Sequence, residues 1–215
     1  MGAKTWMIVY SNGNAREILN SSPNIDKTQT ETCLQTLFPA TTLTVSGEGD
    51  LSFTCPEDNE IYAGYFNGVF VVAASEFAID LPSELPKQFI TDTLGTTIQL
   101  HAMHSAVDWF AFAIWEKQKL IRSLSLSPDS GILENTGTPF NFEAPYWDGV
   151  HPAIDPLDDS DEYPLDFHPL ELGEEALNFM FGYQLEGASD DATLEPESIP
   201  LLCFKRQKKA WWRFW

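Results

Sequence analysis

Four histidines sit near carboxylates: His101 and His104 with Asp108, His151 with Asp155, and His168 with Glu171. Imidazole and carboxylate together can pass a proton or hold a metal ion, so these six groups, His101, His104, Asp108, His151, His168 and Glu171, are the candidate catalytic set. No H-E-x-x-H or Cys–His spacing accompanies them, so no metal site or cofactor is expected. An odd separation on a strand also sends His101 and His104 to opposite faces. A second set is aromatic. Trp109, Trp115, Tyr146 and Trp147 could line a pocket for a small ligand. A third is acidic: Asp158, Asp159, Asp161 and Glu162 crowd one short stretch, without the spacing or glycine of a calcium loop. Ser123–Ser127 reads SLSLS, which is a strand with one polar face rather than a nucleophile elbow.

These groups must be carried by a folded core. Of 215 residues, 43% are hydrophobic, which excludes a wholly disordered chain and makes disulfide staples unnecessary. Cys33, Cys55 and Cys203 are an odd, widely spaced set, as expected of reduced thiols in a cytosolic protein. The apolar run at the N-terminus is too short for a signal peptide, and Trp6 stands where myristoylation wants Ser or Thr. No apolar run approaches the length of a bilayer span.

Lys4–Tyr10 is β-branched and aromatic, as in a doubly buried strand. Asn14 is placed to cap a helix over 15–19, and 26–38 repeats apolar residues at helical spacing. Strands are expected at 41–45 and 51–54 about a Gly47-Glu48-Gly49 turn, and at 61–66 and 69–74 about Asn67-Gly68. A helix is expected from Ser83 to Leu94, then strands at 97–104, 107–115 and 120–126. In the middle one of these, Val107, Trp109, Ala111, Ala113 and Trp115 alternate with Phe110, Phe112 and Ile114. Both faces are apolar, so both are covered. Residues 128–168 hold Pro139, Pro145, Pro152, Pro156 and Pro164 among interleaved aromatics, and read as an extended, acid-rich wrap. A helix over 169–183 and a short strand over 199–204 follow. The fold class expected is α+β: one domain over 1–204, a mostly antiparallel sheet of seven or eight strands with helices packed on it, and a basic aromatic tail over 205–215.

Charge is unevenly placed. Between Arg122 and Lys205 there is no Lys or Arg, and there are 18 Asp and Glu. The tail carries five of the 12 basic residues and no acid, leaving seven basic residues against all 32 acidic ones in the rest. Such a body repels phosphate backbones, which argues against nucleic acid and for a basic protein partner. The tail is expected to dock on its own or a neighbouring acidic body.

The segments MGAKTWMIVY, IYAGYFNGVFVV, LHAMHSAVDWFAFAIWE, RSLSLSPDSGI, PYWDGVHP and YPLDFHPLELGEEALNFMFGYQLEG together resemble a bacterial family, the DUF6928 domain, over roughly residues 1–204. The resemblance implies no activity. It implies a turn after the first strand that is often acidic. Here it is Asn12-Gly13-Asn14, so no acid or metal role is carried over to it. The expectation is an acidic, cytoplasmic, non-enzymatic binding protein, immunity- or inhibitor-like. The alternative is a hydrolase at the His/Asp/Glu set, possible metal assistance included.

Overall fold

A computed structural model describes residues 2–154, 163–187 and 192–207. Nine strands form one sheet: β1 Lys4–Ser11, β2 Leu43–Asp50, β3 Glu60–Phe66, β4 Val69–Ala73, β5 Thr97–His104, β6 Trp109–Glu116, β7 Lys119–Ser127, β8 Gly131–Gly137 and β9 Pro200–Arg206. Their order is β2-β9-β3-β4-β1-β5-β6-β7-β8, and every neighbouring pair is antiparallel. The helices are α1 Ala15–Asn20, α2 Lys27–Leu37, α3 Ala144–Trp147 and α4 Pro169–Phe181. With so few helical residues the chain is mostly β. No helix among the described residues is long and apolar enough to cross a membrane.

The alternation read in β6 separates two cores. Phe110, Phe112 and Ile114 join α1 and α4 on one face, with Leu19, Leu172, Leu177 and Phe181. Trp109, Ala111, Ala113 and Trp115 join α2 on the other, with Leu34, Leu37, Phe77 and Phe89. Each fully buried Leu or Phe contributes about 1.5–3 kcal/mol, so both layers are needed to hold a sheet this wide. The helix ends follow their sequence signals. Asn14 and Asp26 accept backbone N–H bonds at the starts of α1 and α2, and Gly182 ends α4 at φ +88°. The hairpins at Asn67-Gly68 and Lys117-Gln118 both have positive φ at their two central residues, which matches the twist of the flanking strands.

Several expectations are corrected. The sheet has nine strands, not seven or eight. The glycines at 47 and 49 do not make a turn, because β2 runs unbroken through them along β9, with a bulge between Val45 and Gly47. Gly49 is small because the Tyr62 ring lies against it, and a Cβ there would meet that ring at 2.6 Å. The helix expected over 83–94 is instead two 3₁₀ turns, at Pro82–Glu84 and Lys87–Phe89, each entered at a proline that lacks the N–H a longer helix needs. Ser83 caps nothing. Its N–H and hydroxyl both donate to Glu134, at 3.3 and 3.1 Å. The wrap over 128–168 opens with strand β8, and Lys205 and Arg206 belong to β9 rather than to the tail.

What anchors the wrap is a buried ion pair. Arg122 on β7 and Glu143 at the start of α3 are both fully buried, and their closest N–O distance is 2.6 Å. Arg122 also donates to Asn135 Oδ1 at 2.6 Å and to the Thr136 carbonyl at 3.1 Å, while Glu143 accepts the Phe140 N–H at 2.8 Å. The bonds from Arg122 to Asn135, Thr136 and Glu143 therefore tie residues 135–143 to β7.

Candidate acidic cleft

Two adjoining hollows of about 460 and 680 Å³ share Ala3, Gln184 and Glu186 as common wall. The first is bounded by Tyr146, His168, Leu170, Glu171 and Glu174, and the second by Lys4, Ser52, Cys55, Ser105, Glu195 and Glu197. The start of β1, the first turns of α4 and residues 52–55, 184–187 and 195–197 thus enclose one cleft. Its lining carries five glutamates against Lys4.

The histidines do not converge there. His168 lines the cleft and caps α4: its Nδ1 accepts the Leu170 N–H at 3.4 Å, and its Nε2 lies 3.6 Å from Asp108 Oδ2. One ring nitrogen is thus taken by the helix cap, and the other faces a carboxylate rather than the open cleft. Asp108 reaches it from a left-handed turn at φ +48°, a conformation that Asp tolerates better than most residues. Tyr163 stacks on His168 at 5.5 Å. Burial, then the charge of Asp108, pushes its phenol up to about 12. His151 is exposed and stacks on Tyr146 at 4.8 Å, and Tyr146 donates to the Glu171 carbonyl at 3.1 Å. His104 stacks on Trp6 at 6.1 Å on the sheet's α2 face. His101 is fully buried on the other face beneath α4, where its Nε2 lies 2.9 Å from the Gly173 carbonyl. Burial lowers its pKa to about 4, so it is neutral and donates that bond. α4 comes close enough for this contact because residue 173 lacks a side chain: a Cβ there would meet Met103 Sδ at 2.7 Å. Among the described residues no three metal-ligating side chains cluster.

Of the aromatic candidates only Tyr146 lines the cleft. Trp109 and Trp115 are buried between the sheet and its α2 layer, and the Trp109 indole donates to Ser125 Oγ at 3.3 Å. Trp147 packs edge-on against Phe167 at 4.9 Å. The candidates Asp158, Asp159, Asp161 and Glu162, and Asp155 beside them, lie outside the described residues, as does the tail from residue 208 onward.

The model of a family of unknown function, DUF6928, matches residues 5–204. The chain belongs to that family. No curated protein and no solved structure matches it. The DUF6928 match takes in the cleft residues from Ser52 through Glu197, while Ala3 and Lys4 precede it.

Within this DUF6928 chain the group that shapes the cleft is Glu174, which carries no motif. Its nearly buried carboxylate accepts the N–H groups of Leu185 at 2.7 Å and Glu186 at 3.2 Å, holding the shared wall in place. Burial raises its pKa, the two backbone bonds work against that rise, and nearby Glu186 adds to it. The spacing of Glu171 and Glu174, three apart in the first turns of α4, was the available clue that both face one side. Replacing Glu174 with Ala is expected to free the wall: hydrogen exchange at the Leu185 and Glu186 amides should rise about tenfold or more, since a bond to a charged acceptor is worth ~1.5–3 kcal/mol. Unchanged exchange at both amides would show that the carboxylate does not hold them.

Proposed function

We propose that this chain is an acidic, cytosolic, non-enzymatic binding protein, and that its cleft takes a basic segment of a partner protein, in the manner of an immunity or inhibitor protein. The observation that carries this reading is the cleft lining: Glu171, Glu174, Glu186, Glu195 and Glu197 face a continuous hollow with Lys4 as its basic residue. A cationic side chain entering it would meet focused negative potential, and would offset the cost of keeping Glu174 ionised while buried. The 82-residue interval without Lys or Arg supplies Glu171 and Glu174 of α4 and also Glu186, Glu195 and Glu197, so the charge asymmetry of the sequence and the position of the cleft coincide.

A hydrolase reading has one observation in its favour, the His168–Asp108 pair at the cleft wall. It is the weaker reading, because His168 spends one nitrogen on the α4 cap and turns the other to Asp108.

The test is binding of a fluorescent Lys/Arg-rich peptide, with an acidic peptide of equal length as control, at low and at moderate salt. The basic peptide should bind and weaken with salt. The Glu186→Lys/Glu195→Lys variant, changed only at exposed side chains, should lose about tenfold or more in affinity. Equal affinity for both peptides, or for both proteins, would overturn the proposal.

A further inference from the structure

We propose a second binding surface, distinct from the cleft: the groove between α2 and the edge strand β2, with residues 208–215 of this same chain as its occupant. The groove is a hollow of about 190 Å³ lined by Glu31, Leu34 and Gln35 of α2, Leu43 and Val45 of β2, and Phe204 of β9. A shallower hollow continues it along Glu31, Thr32, Gln35 and Thr36. Its floor is incompletely covered. Val45 is 52% exposed, a large apolar side chain left open on an edge strand, where nature usually places charge.

Position, charge and side-chain type all select the same occupant. β9 ends beside the groove: the Gln207 N–H donates to the Thr42 carbonyl at 2.9 Å, and Thr42 is the residue before Leu43. Arg206 turns its side chain to the α2 layer, with its guanidinium on Glu76 and 5.2 Å from the Phe38 ring centre. Gln207, the last described residue, therefore lies at the Thr42 end of the groove. Val45 lies three residues along β2 from Thr42, roughly 10 Å, while eight extended residues span up to about 26–29 Å. Those eight, KKAWWRFW, hold three cations, four aromatic rings and no acid. The groove answers with an apolar floor for a ring and with Glu31 at its rim. Glu48, farther along β2, is already paired with Lys27 at 3.0 Å. Trp and Arg are the side chains that gain most from an apolar floor with an acidic rim. The family match stops at residue 204, so this contact is not implied by family membership.

The test uses the full-length chain. Trypsin cleavage after Lys208, Lys209 and Arg213 is followed by mass spectrometry in the wild type and in a Val45→Gln/Glu31→Gln variant, with thermal unfolding to confirm that both are folded. Docking predicts cleavage about tenfold faster in the variant, equivalent to ~1.4 kcal/mol of lost contact, and faster wild-type cleavage at high salt. Equal rates in the two proteins would overturn the proposal. So would protection that grows with protein concentration together with dimer formation, which assigns the tail to a neighbouring copy. Protection that survives in this variant but is lost in Glu195→Lys/Glu197→Lys would overturn it too, by placing the tail in the cleft.

Discussion

Glu143→Ala is expected to lower the unfolding free energy by about 3–5 kcal/mol, the usual cost of leaving one partner of a buried ion pair uncompensated. The variant strands the Arg122 guanidinium between β7 and α3 with no water to solvate it, and the Phe140 N–H loses its acceptor as well. Arg122→Ala should cost a similar amount, since Glu143 would then be the uncompensated charge. The informative control is Arg122→Met/Glu143→Leu, which replaces the pair by apolar side chains and should recover most of the loss. Urea unfolding of the four proteins checks this. A Glu143→Ala variant within about 1 kcal/mol of the wild type, in the range of an exposed pair, would mean that water reaches the site.

Acid should destabilise the fold through His101. Its folded pKa is lowered from 6.5 to about 4 by burial, so the unfolded chain takes up a proton at higher pH than the folded chain does. The contribution is fully present above pH 6.5, is lost as pH falls from there to about 4, and is constant below that. Over the whole window it amounts to about 3 kcal/mol. Glu174 acts in the opposite sense, because its raised pKa lets the folded state gain protons first. The wild type must therefore be compared with His101→Gln, which keeps a donor for the Gly173 carbonyl and cannot titrate in this range. Its stability should fall less between pH 6.5 and 4, and parallel pH profiles would refute the assignment.

Much of the framework could be read from the chain because local rules and tertiary packing agreed. The alternation of β6, the Asn67-Gly68 hairpin and the Asn14 cap each encode their own geometry within a few residues. Where reading failed, a distant partner decided. Gly49 looks like a turn residue until Tyr62 is seen lying on it. Residues 83–94 look helical until two prolines and Glu134 claim their ends. The cleft was the least legible part. The histidines drew attention by residue type, yet the glutamates that line it come from separate segments, and only the fold brings 3–4, 52–55, 171–174, 184–187 and 195–197 together. The opposite-face reading of His101 and His104 held, since it rests on strand geometry alone.

The position of β9 bears on how the sheet can be built during synthesis. Half of it, β5-β6-β7-β8, is a run of consecutive hairpins that can close as soon as residue 137 emerges. β1, β3 and β4 can join it early as well, but β2 cannot. β9, the last strand in chain order, sits between β2 and β3, and it is the sole ladder partner of β2. Until residues 200–206 leave the ribosome, β2 has no neighbour and β3 has one bare side. At ~5–20 residues per second, the wait after β2 is complete lasts several seconds or more. The nascent chain thus carries one unpaired strand, β2, and one open edge, on β3, through most of its synthesis. β2, with two glycines, a bulge, Glu48 and Asp50 within eight residues, is a strand that resists pairing with the wrong edge in the meantime.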